Sequence, residues 1–288
     1  MKQLYEQHTA IDPKVLSQKI KEFLDEDRAD QDITTTHLSN NDKTKSAHII
    51  AEEKMVFAGE QILQNIFKNN KYEIKVKDSM KCSAGDVIAI VSATSGFLLT
   101  RERVMLNLLQ RLSGIATLTN RYVEKLNNNK IKILDTRKTT PGLRIFEKHA
   151  VNVGGGFNHR LDLNDGSMFK DNHLVLDENF ITSIKTFKKA HPKKKLQIEV
   201  DTYEQLDFIC SELSFNIDAI LLDNMNPNQA QKCCTLIRNT QPNCFIELSG
   251  GINLDNILTY KAIDVDGISI GALTHQAQSK NIKFEIQP

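Results

Sequence analysis

The chain has 288 residues, enough for two domains or one elaborated barrel. Its composition, 40% hydrophobic and 25% charged, is that of a globular protein and excludes a disordered or fibrous one. A formal net charge of +1 leaves no global field to gather nucleic acid or an anionic membrane, so any basic site must be local. The first residues, MKQLYEQHTAIDPK, hold no apolar segment of signal-peptide type, and no run approaches the ~18 apolar residues of a membrane span. Cys82, Cys210, Cys233, Cys234 and Cys244 form no CxxC pair and read as reduced thiols, so a cytoplasmic protein is expected.

In chain order, residues 13–26 carry Val15, Leu16, Ile20, Phe23 and Leu24 on one helical face, with Asp12-Pro13 as cap and first turn. A polar loop follows over 27–41. Strands are expected at 47–51, 55–58, 72–77, 87–91 and 96–100, with a helix at 60–68 among them, as in an α+β domain. The strongest helix is 101–126, where Met105, Leu108, Leu109, Leu112, Ile115, Tyr122, Val123 and Leu126 recur at helical spacing. Ser113-Gly114 interrupts that stripe and marks a place to bend. The domain boundary is expected within this helix.

Beyond residue 130, short apolar runs alternate with helical stretches, the pattern of repeated βα units. Six strands are expected, at 131–134, 167–169, 196–200, 219–222, 244–248 and 267–270. Polar or glycine residues follow each at once: Asp135 to Lys138, Lys170-Asp171, Asp201, Asp223-Asn224, Ser249-Gly250-Gly251 and Gly271. In a βα-barrel the carboxyl ends of the strands form the active face, so one mouth can gather these groups. Residues 281–286 alternate like a strand that returns to the first domain.

The densest segment is Asp135–His173, which combines Arg137, Lys138, His159, Arg160, Lys170 and His173 with a Pro141-Gly142 turn and the triple glycine 154–156. Arginine suits bidentate carboxylate recognition and lysine acts as a point charge, so this set points to a ligand with two or more carboxylates. The alternative is a solvated charged surface, since the segment holds six Lys/Arg and five Asp/Glu. His149 and His173 read equally as packing groups or contacts. The Ser249-Gly250-Gly251 and Ile270-Gly271-Ala272 turns follow the last two strands, where barrels bind phosphate on glycine amides. Glu199 and Asp223, carboxylates beside that anion site, call for a divalent cation or a sugar diol, or else form structural ion pairs. The run Lys193-Lys194-Lys195 reads as a solvated loop.

Taken together, DTRKTTPGLR, GGGFNHR, KDNH, IEVD, LLDN, ELSGGI and SIGALTH, with TRERVMLNLLQRLSGIAT upstream, resemble the quinolinate phosphoribosyltransferase family over about residues 98–275. Around Asp30-Gln31-Asp32-Ile33-Thr34 the family usually has glycine where this chain has Gln31. The resemblance implies an α/β fold: an N-terminal α/β sandwich, residues 1–112 with 276–288 returning to it, and an incomplete, seven-stranded α/β barrel, residues 113–275. It implies phosphoribosyl transfer from phosphoribosyl pyrophosphate to quinolinate with decarboxylation, and Mg²⁺ as cofactor. By position, Arg137, Lys138, His159, Arg160 and Lys170 would contact quinolinate, with Thr136 lining the mouth. Glu199 and Asp223 would face ribose and Mg²⁺, directly or through substrate, and with Lys138 would be the catalytic groups. Ser249, Gly250, Gly251, Ile270, Gly271 and Ala272 would cradle phosphate. Arg103 would come from the other subunit of a homodimer. The rivals are a related phosphoribosyltransferase for another aromatic acid and a non-catalytic phosphometabolite-binding protein.

Overall fold

Local antiparallel pairing organises the first part of the chain and parallel pairing across helices the rest. The computed structural model describes residues 4–170, 173 and 176–288. Two compact units emerge: His8–Asn120 with Ile145–Gly155 and Gln276–Pro288, and Met1–Gln7 with Arg121–Arg144 and Gly156–His275.

The antiparallel unit begins with α1 (Pro13–Glu26), whose first turn is capped by Asp12 Oδ1 accepting from the Lys14 and Val15 amides. Leu16 and Ile20 are its buried face, and Phe23 meets Phe146 at 5.9 Å. Two short 3-10 turns, Ala29–Gln31 and Thr35–His37, break the expected loop. The left-handed residue there is Arg28 (φ 49°), not Gln31, so this turn does not require glycine at position 31. Then come β1 (Thr44–Ala51), β2 (Met55–Val56), α2 (Glu60–Ile66), β3 (Lys71–Ile74), β4 (Lys81–Cys82) and β5 (Val87–Thr94). The C-terminal strand Ile282–Ile286 completes a four-stranded sheet by pairing with β1, on the side opposite β5 and β3.

The strand expected at 96–100 is a helix: α3 runs without a break from Ser95 to Leu126. Thr94 Oγ1 accepts from the Phe97 amide at its start, and Phe97 packs on Phe67 at 5.8 Å. A short apolar run such as FLL has no periodicity to separate strand from helix, and the cap decides. Nor does Ser113-Gly114 interrupt α3. Gly114 is required by close packing: a Cβ there would lie 2.1 Å from the Gln278 carbonyl oxygen. Gly154 likewise sits 2.5 Å, at its would-be Cβ, from the Ala116 carbonyl, so this member of the triple glycine serves helix packing.

The parallel unit contains β6 (Lys132–Leu134), the start of α4 (Arg144–Val153), β7 (Ser167–Phe169), α5 (Phe180–Ala190), β8 (Leu196–Val200), α6 (Tyr203–Glu212), β9 (Ala219–Asp223), α7 (Pro227–Thr240), β10 (Phe245–Ser249), β11 (Gly267–Ser269) and α8 (Ala272–His275). The sheet order is β6-β11-β10-β9-β8-β7, all parallel, as in a partial α/β barrel. Beyond β6, a single parallel bridge joins Leu134 to Phe157, a one-residue seventh position at that edge. Among the described residues β6 and β7 do not pair, so the barrel is open. Side chains alternate across each strand. Ala219, Phe245 and Leu134 form one core cluster with Leu4 and Phe157 packed on it. Gln197, in register with Ala219, donates through Nε2 to Oε2 of Glu247, two residues beyond Phe245, at 2.8 Å over the intervening β9, as inward curvature of the sheet requires.

Candidate active site

The same alternation carries the inward face to the carboxyl edge. From Gln197 the next inward position on β8 is Glu199, from Leu221 on β9 it is Asp223, and from Glu247 on β10 it is Ser249. Register aligns Ser249 with Asp223 and pairs Glu199 with Leu221, one inward position before them, so the three polar groups lie within one inward step of one another near the carboxyl edge. Lys170 follows β7, whose Phe169 pairs with Ile198, and this places it beside Glu199: Lys170 Nζ lies 2.5 Å from Glu199 Oε2. Asp171, which follows Lys170, lies outside the described residues.

On the β6 side, buried Asp135 holds the adjacent strand position together. It accepts from Asn158 Nδ2 at 2.6 Å and from the His159 amide at 2.8 Å. Thr136 Oγ1 accepts from the Lys138 amide at 3.0 Å, shaping the turn that carries Arg137 and Lys138. Arg137 Nε is buried and has no hydrogen-bond partner among the described residues. Arg160 is buried, with Nη1 donating to the Gly166 carbonyl at 2.9 Å and Nη2 facing Met168 Sδ at 3.6 Å. Burial, and secondarily the charge of Arg137, pull the Arg160 guanidinium below its ordinary value, while Tyr5, Glu199 and Asp165 oppose this. Arginine nevertheless stays protonated, so the two guanidiniums give this rim a positive end.

Lys138 is exposed and reaches across to the β11 end. A Cβ on Gly271 would lie 2.8 Å from Lys138 Cδ and 3.1 Å from His275 Nε2, and Thr274 Oγ1 donates to the Lys138 carbonyl at 2.6 Å. At the β10 turn Gly250 has φ +85°, and a Cβ would meet Asn224 Oδ1 at 2.2 Å, so only glycine fits. Asn224 Nδ2 in turn donates to Asp223 Oδ2 at 2.7 Å. The predicted residues Thr136, Arg137, Lys138, His159, Arg160, Lys170, Glu199, Asp223, Ser249 to Gly251 and Ile270 to Ala272 therefore all belong to the parallel unit. Arg103 stands exposed on α3 in the antiparallel unit.

Beneath the rim lies a polar group that the sequence reading did not select. Glu247 is fully buried and meets His159 Nε2 at 3.3 Å. Burial acts to raise its carboxyl, while hydrogen bonds from His159, Ser269 and Gln197 act to lower it. Tyr5 donates to Gln197 Oε1 at 2.7 Å, and its hydroxyl is pushed up by burial and by the Glu247 charge. A signal was present: Glu247 shares parity with Ser249 in the strand FIELS, so a charge had to face inward.

Of the less certain groups, His173 Nδ1 accepts from the Lys170 amide at 3.0 Å, and His149 faces the His8 carbonyl and Asp78 within the other unit. All five cysteines are free; burial pushes Cys82 and Cys233 up to about 11 and Cys234 and Cys244 up to about 12, and raises Cys210. None is a ready thiolate nucleophile. Lys195, from the triple-lysine run, pairs with Asp218 at 3.2 Å.

Comparison with known proteins gives this rim its context. The model of the quinolinate phosphoribosyl transferase C-terminal domain matches residues 115–285, and that of the N-terminal domain matches residues 32–113. A Bacillus subtilis protein named "Probable nicotinate-nucleotide pyrophosphorylase (carboxylating)" is 37% identical over 276 residues, 94% of this chain and 93% of its own. The carboxylating nicotinate-nucleotide pyrophosphorylase of Mycobacterium leprae is 36% identical over 93% of this chain and 95% of its own. The solved nicotinate-nucleotide pyrophosphorylase of Francisella tularensis superposes with a TM-score of 0.87 at 30% identity, covering 98% of this chain and all of that one. With both domain models matched in order and full-length relatives above 30% identity, the chain belongs to the quinolinate phosphoribosyl transferase family.

Proposed function

We propose that this chain transfers the phosphoribosyl group of phosphoribosyl pyrophosphate to quinolinate, releasing pyrophosphate and CO2 and yielding nicotinate mononucleotide, a step of NAD biosynthesis. The observation that carries this reading is the buried Arg137 Nε, a donor without a protein partner among the described residues, on a rim that also holds Arg160 and Lys170 beside Glu199. Such a rim suits a dianion on its cationic side and a sugar that becomes cationic on its carboxylate side.

Arg137 and Arg160 clamp the pyridine carboxylates, with His159 and Thr136 shaping the same wall and Lys170 adding charge. The amide-rich turns at Ser249 to Gly251 and Ile270 to Ala272 hold the 5′-phosphate. With both substrates aligned, the quinolinate nitrogen bonds to the ribose carbon as the bond to pyrophosphate breaks, and Glu199 and Asp223 stabilise the positive charge that develops on the ribose. The nitrogen is then cationic. When the bond from ring carbon 2 to its carboxylate breaks, CO2 leaves, the electron pair stays on that carbon, and a proton from water replaces it. Lys138 is the charge assigned to the reacting carboxylate.

Mg²⁺ fits the donor set: two carboxylates from adjacent strands, Glu199 and Asp223, match an ion that takes one or two protein carboxylates and completes its shell with substrate phosphates. Bound there, it would neutralise the departing pyrophosphate. The active form is a homodimer in which Arg103 of each chain serves the other's site. The exposed position of Arg103 on α3 is compatible with that role. Five unpaired cysteines are consistent with a reducing, cytoplasmic setting, and no described helix is long and apolar enough to cross a membrane.

The test is a Mg²⁺-dependent assay with carboxyl-labelled quinolinate and phosphoribosyl pyrophosphate, following CO2 and nicotinate mononucleotide together. Equal amounts of both products are expected. Turnover of nicotinate in place of quinolinate would favour the rival aromatic acid, and no product at saturating substrate would overturn the reading.

A further inference from the structure

We propose that Glu247 is a positioning residue for the pyridine-acid site: it locks His159 in one tautomer, and through it fixes the backbone that presents Arg160. This rests on the function proposed above.

The argument is one of donors and acceptors. The Arg160 amide points at His159 Nδ1 at 2.8 Å. A backbone N–H only donates, so Nδ1 must carry a lone pair and no proton. The ring's one proton therefore sits on the other nitrogen, Nε2, which faces Glu247 Oε2 at 3.3 Å and donates to it. His159 is therefore neutral, with its proton on Nε2. Its two nitrogens are engaged inside the protein, and its effect on a bound acid passes through Arg160.

Glu247 is itself held. Gln197 Nε2 donates to the same carboxylate oxygen at 2.8 Å, and Tyr5, by donating to Gln197 Oε1, sets which end of that amide faces Glu247. The Tyr5 ring lies against His159 with centroids 4.8 Å apart. From the other side Asp135 accepts the His159 amide at 2.8 Å. Ring and backbone of His159 are thus fixed by separate carboxylates. An outer group that selects a histidine tautomer in this way governs whatever the histidine orients.

The first measurement is the ¹⁵N NMR signature of the His159 ring in the unliganded protein at pH 7, assigned by its loss in His159→Asn. A neutral ring protonated on Nε2 is expected; a ring protonated on Nδ1, or on both nitrogens, overturns the proposal. The second is steady-state kinetics. Glu247→Leu should raise the KM for quinolinate about tenfold or more, as for loss of an orienting hydrogen bond, and leave the KM for phosphoribosyl pyrophosphate within about twofold. Glu247→Gln keeps an acceptor oxygen and should restore the quinolinate KM to within about threefold of the parent while retaining the Nε2–H tautomer. Equal rises for both substrates, or no rescue by glutamine, would make Glu247 a packing residue and overturn the proposal. If the leucine variant does not fold, the tautomer in the parent and the glutamine variant decides. The NMR readout needs no turnover, so a protein with the expected tautomer and no CO2 release contradicts the activity and not the lock.

Discussion

The rim of the parallel sheet and the layer directly beneath it are two residues apart on each strand, yet they spend their polar groups differently. Below, Tyr5, Gln197, Glu247 and His159 are linked to one another at 2.7–3.3 Å in the buried interior, with only Glu247 Oε1 of this chain of contacts lacking a hydrogen-bond partner among the described residues. Above, Glu199 meets Lys170, Asp223 meets Asn224, and Arg137 keeps a buried Nε without a partner among the described residues. Buried polar groups that close on one another specify the barrel, whereas groups at its edge keep capacity for a ligand. Strand parity and register alone do not separate a structural carboxylate from a chemical one, since Glu199 and Glu247 both pair with Leu221; burial does, Glu247 being fully buried and Glu199 not.

The largest effect expected from this contrast is at the rim. Glu199→Gln should lower turnover by about 10²–10³, the range for losing one group aimed at transition-state charge. Its unfolding midpoint should move little, because a partly exposed ion pair contributes about 1 kcal/mol or less. Initial rates of CO2 release at saturating substrates measure the first and urea unfolding the second. A variant that turns over at the parental rate would remove Glu199 from the chemistry.

Next in size is Arg160→Lys. Lysine retains the charge but not the planar fork that reaches the Gly166 carbonyl and the site together. The quinolinate KM should rise about 10- to 100-fold, matching a charged hydrogen bond of about 1.5–3 kcal/mol, with kcat changed much less. A collapse in kcat at unaltered KM would move Arg160 from binding to chemistry.

Much of this rim was legible because each barrel strand is an apolar run that ends abruptly in a polar or glycine residue, so strand ends could be located and their followers grouped. Leu196–Val200 is such a strand, and Glu199 and Asp201 at its end are read from it directly. The lower layer was not legible in that way. Tyr5 meets Gln197 across 192 residues of sequence, and no local pattern encodes so distant a pairing. The helical start of α3 was hidden for a different reason: its first apolar residues are too few to show a period, and the deciding signal was the Thr94 cap.

In the lower layer the effect shifts from rate to stability. Tyr5→Phe removes the donor to Gln197 and leaves a buried acceptor unsatisfied, which should cost about 1–3 kcal/mol in urea unfolding. The quinolinate KM should rise less than in Glu247→Leu, since Glu247 still faces His159. A stability loss near zero would mean that the N-terminal segment does not help to close the barrel interior.

The opposite, amino edge of the sheet offers the mildest test, and one in which pH gives the sign. Asp218, just before β9, accepts from Lys188 at 3.0 Å, Lys195 at 3.2 Å and the Leu196 amide at 3.0 Å. Burial acts to raise its carboxyl, but the Leu196 and Lys188 hydrogen bonds, with the lysine charges, hold it below the ordinary value. A carboxyl whose folded value is depressed adds stability that is complete above its unfolded value near about 4 and is lost as pH falls through the folded one. Asp218→Asn should therefore be less stable than the parent by about 1 kcal/mol at pH 7, with the gap unchanged down to about pH 5 and narrowing below about pH 4. Activity at pH 7 should be retained, because these contacts lie at the strand starts and the chemistry at the strand ends. A gap that widens in acid would show that Asp218 is held in its protonated form, and the amino edge would then resemble the rim in using a carboxyl for something other than tying strands together.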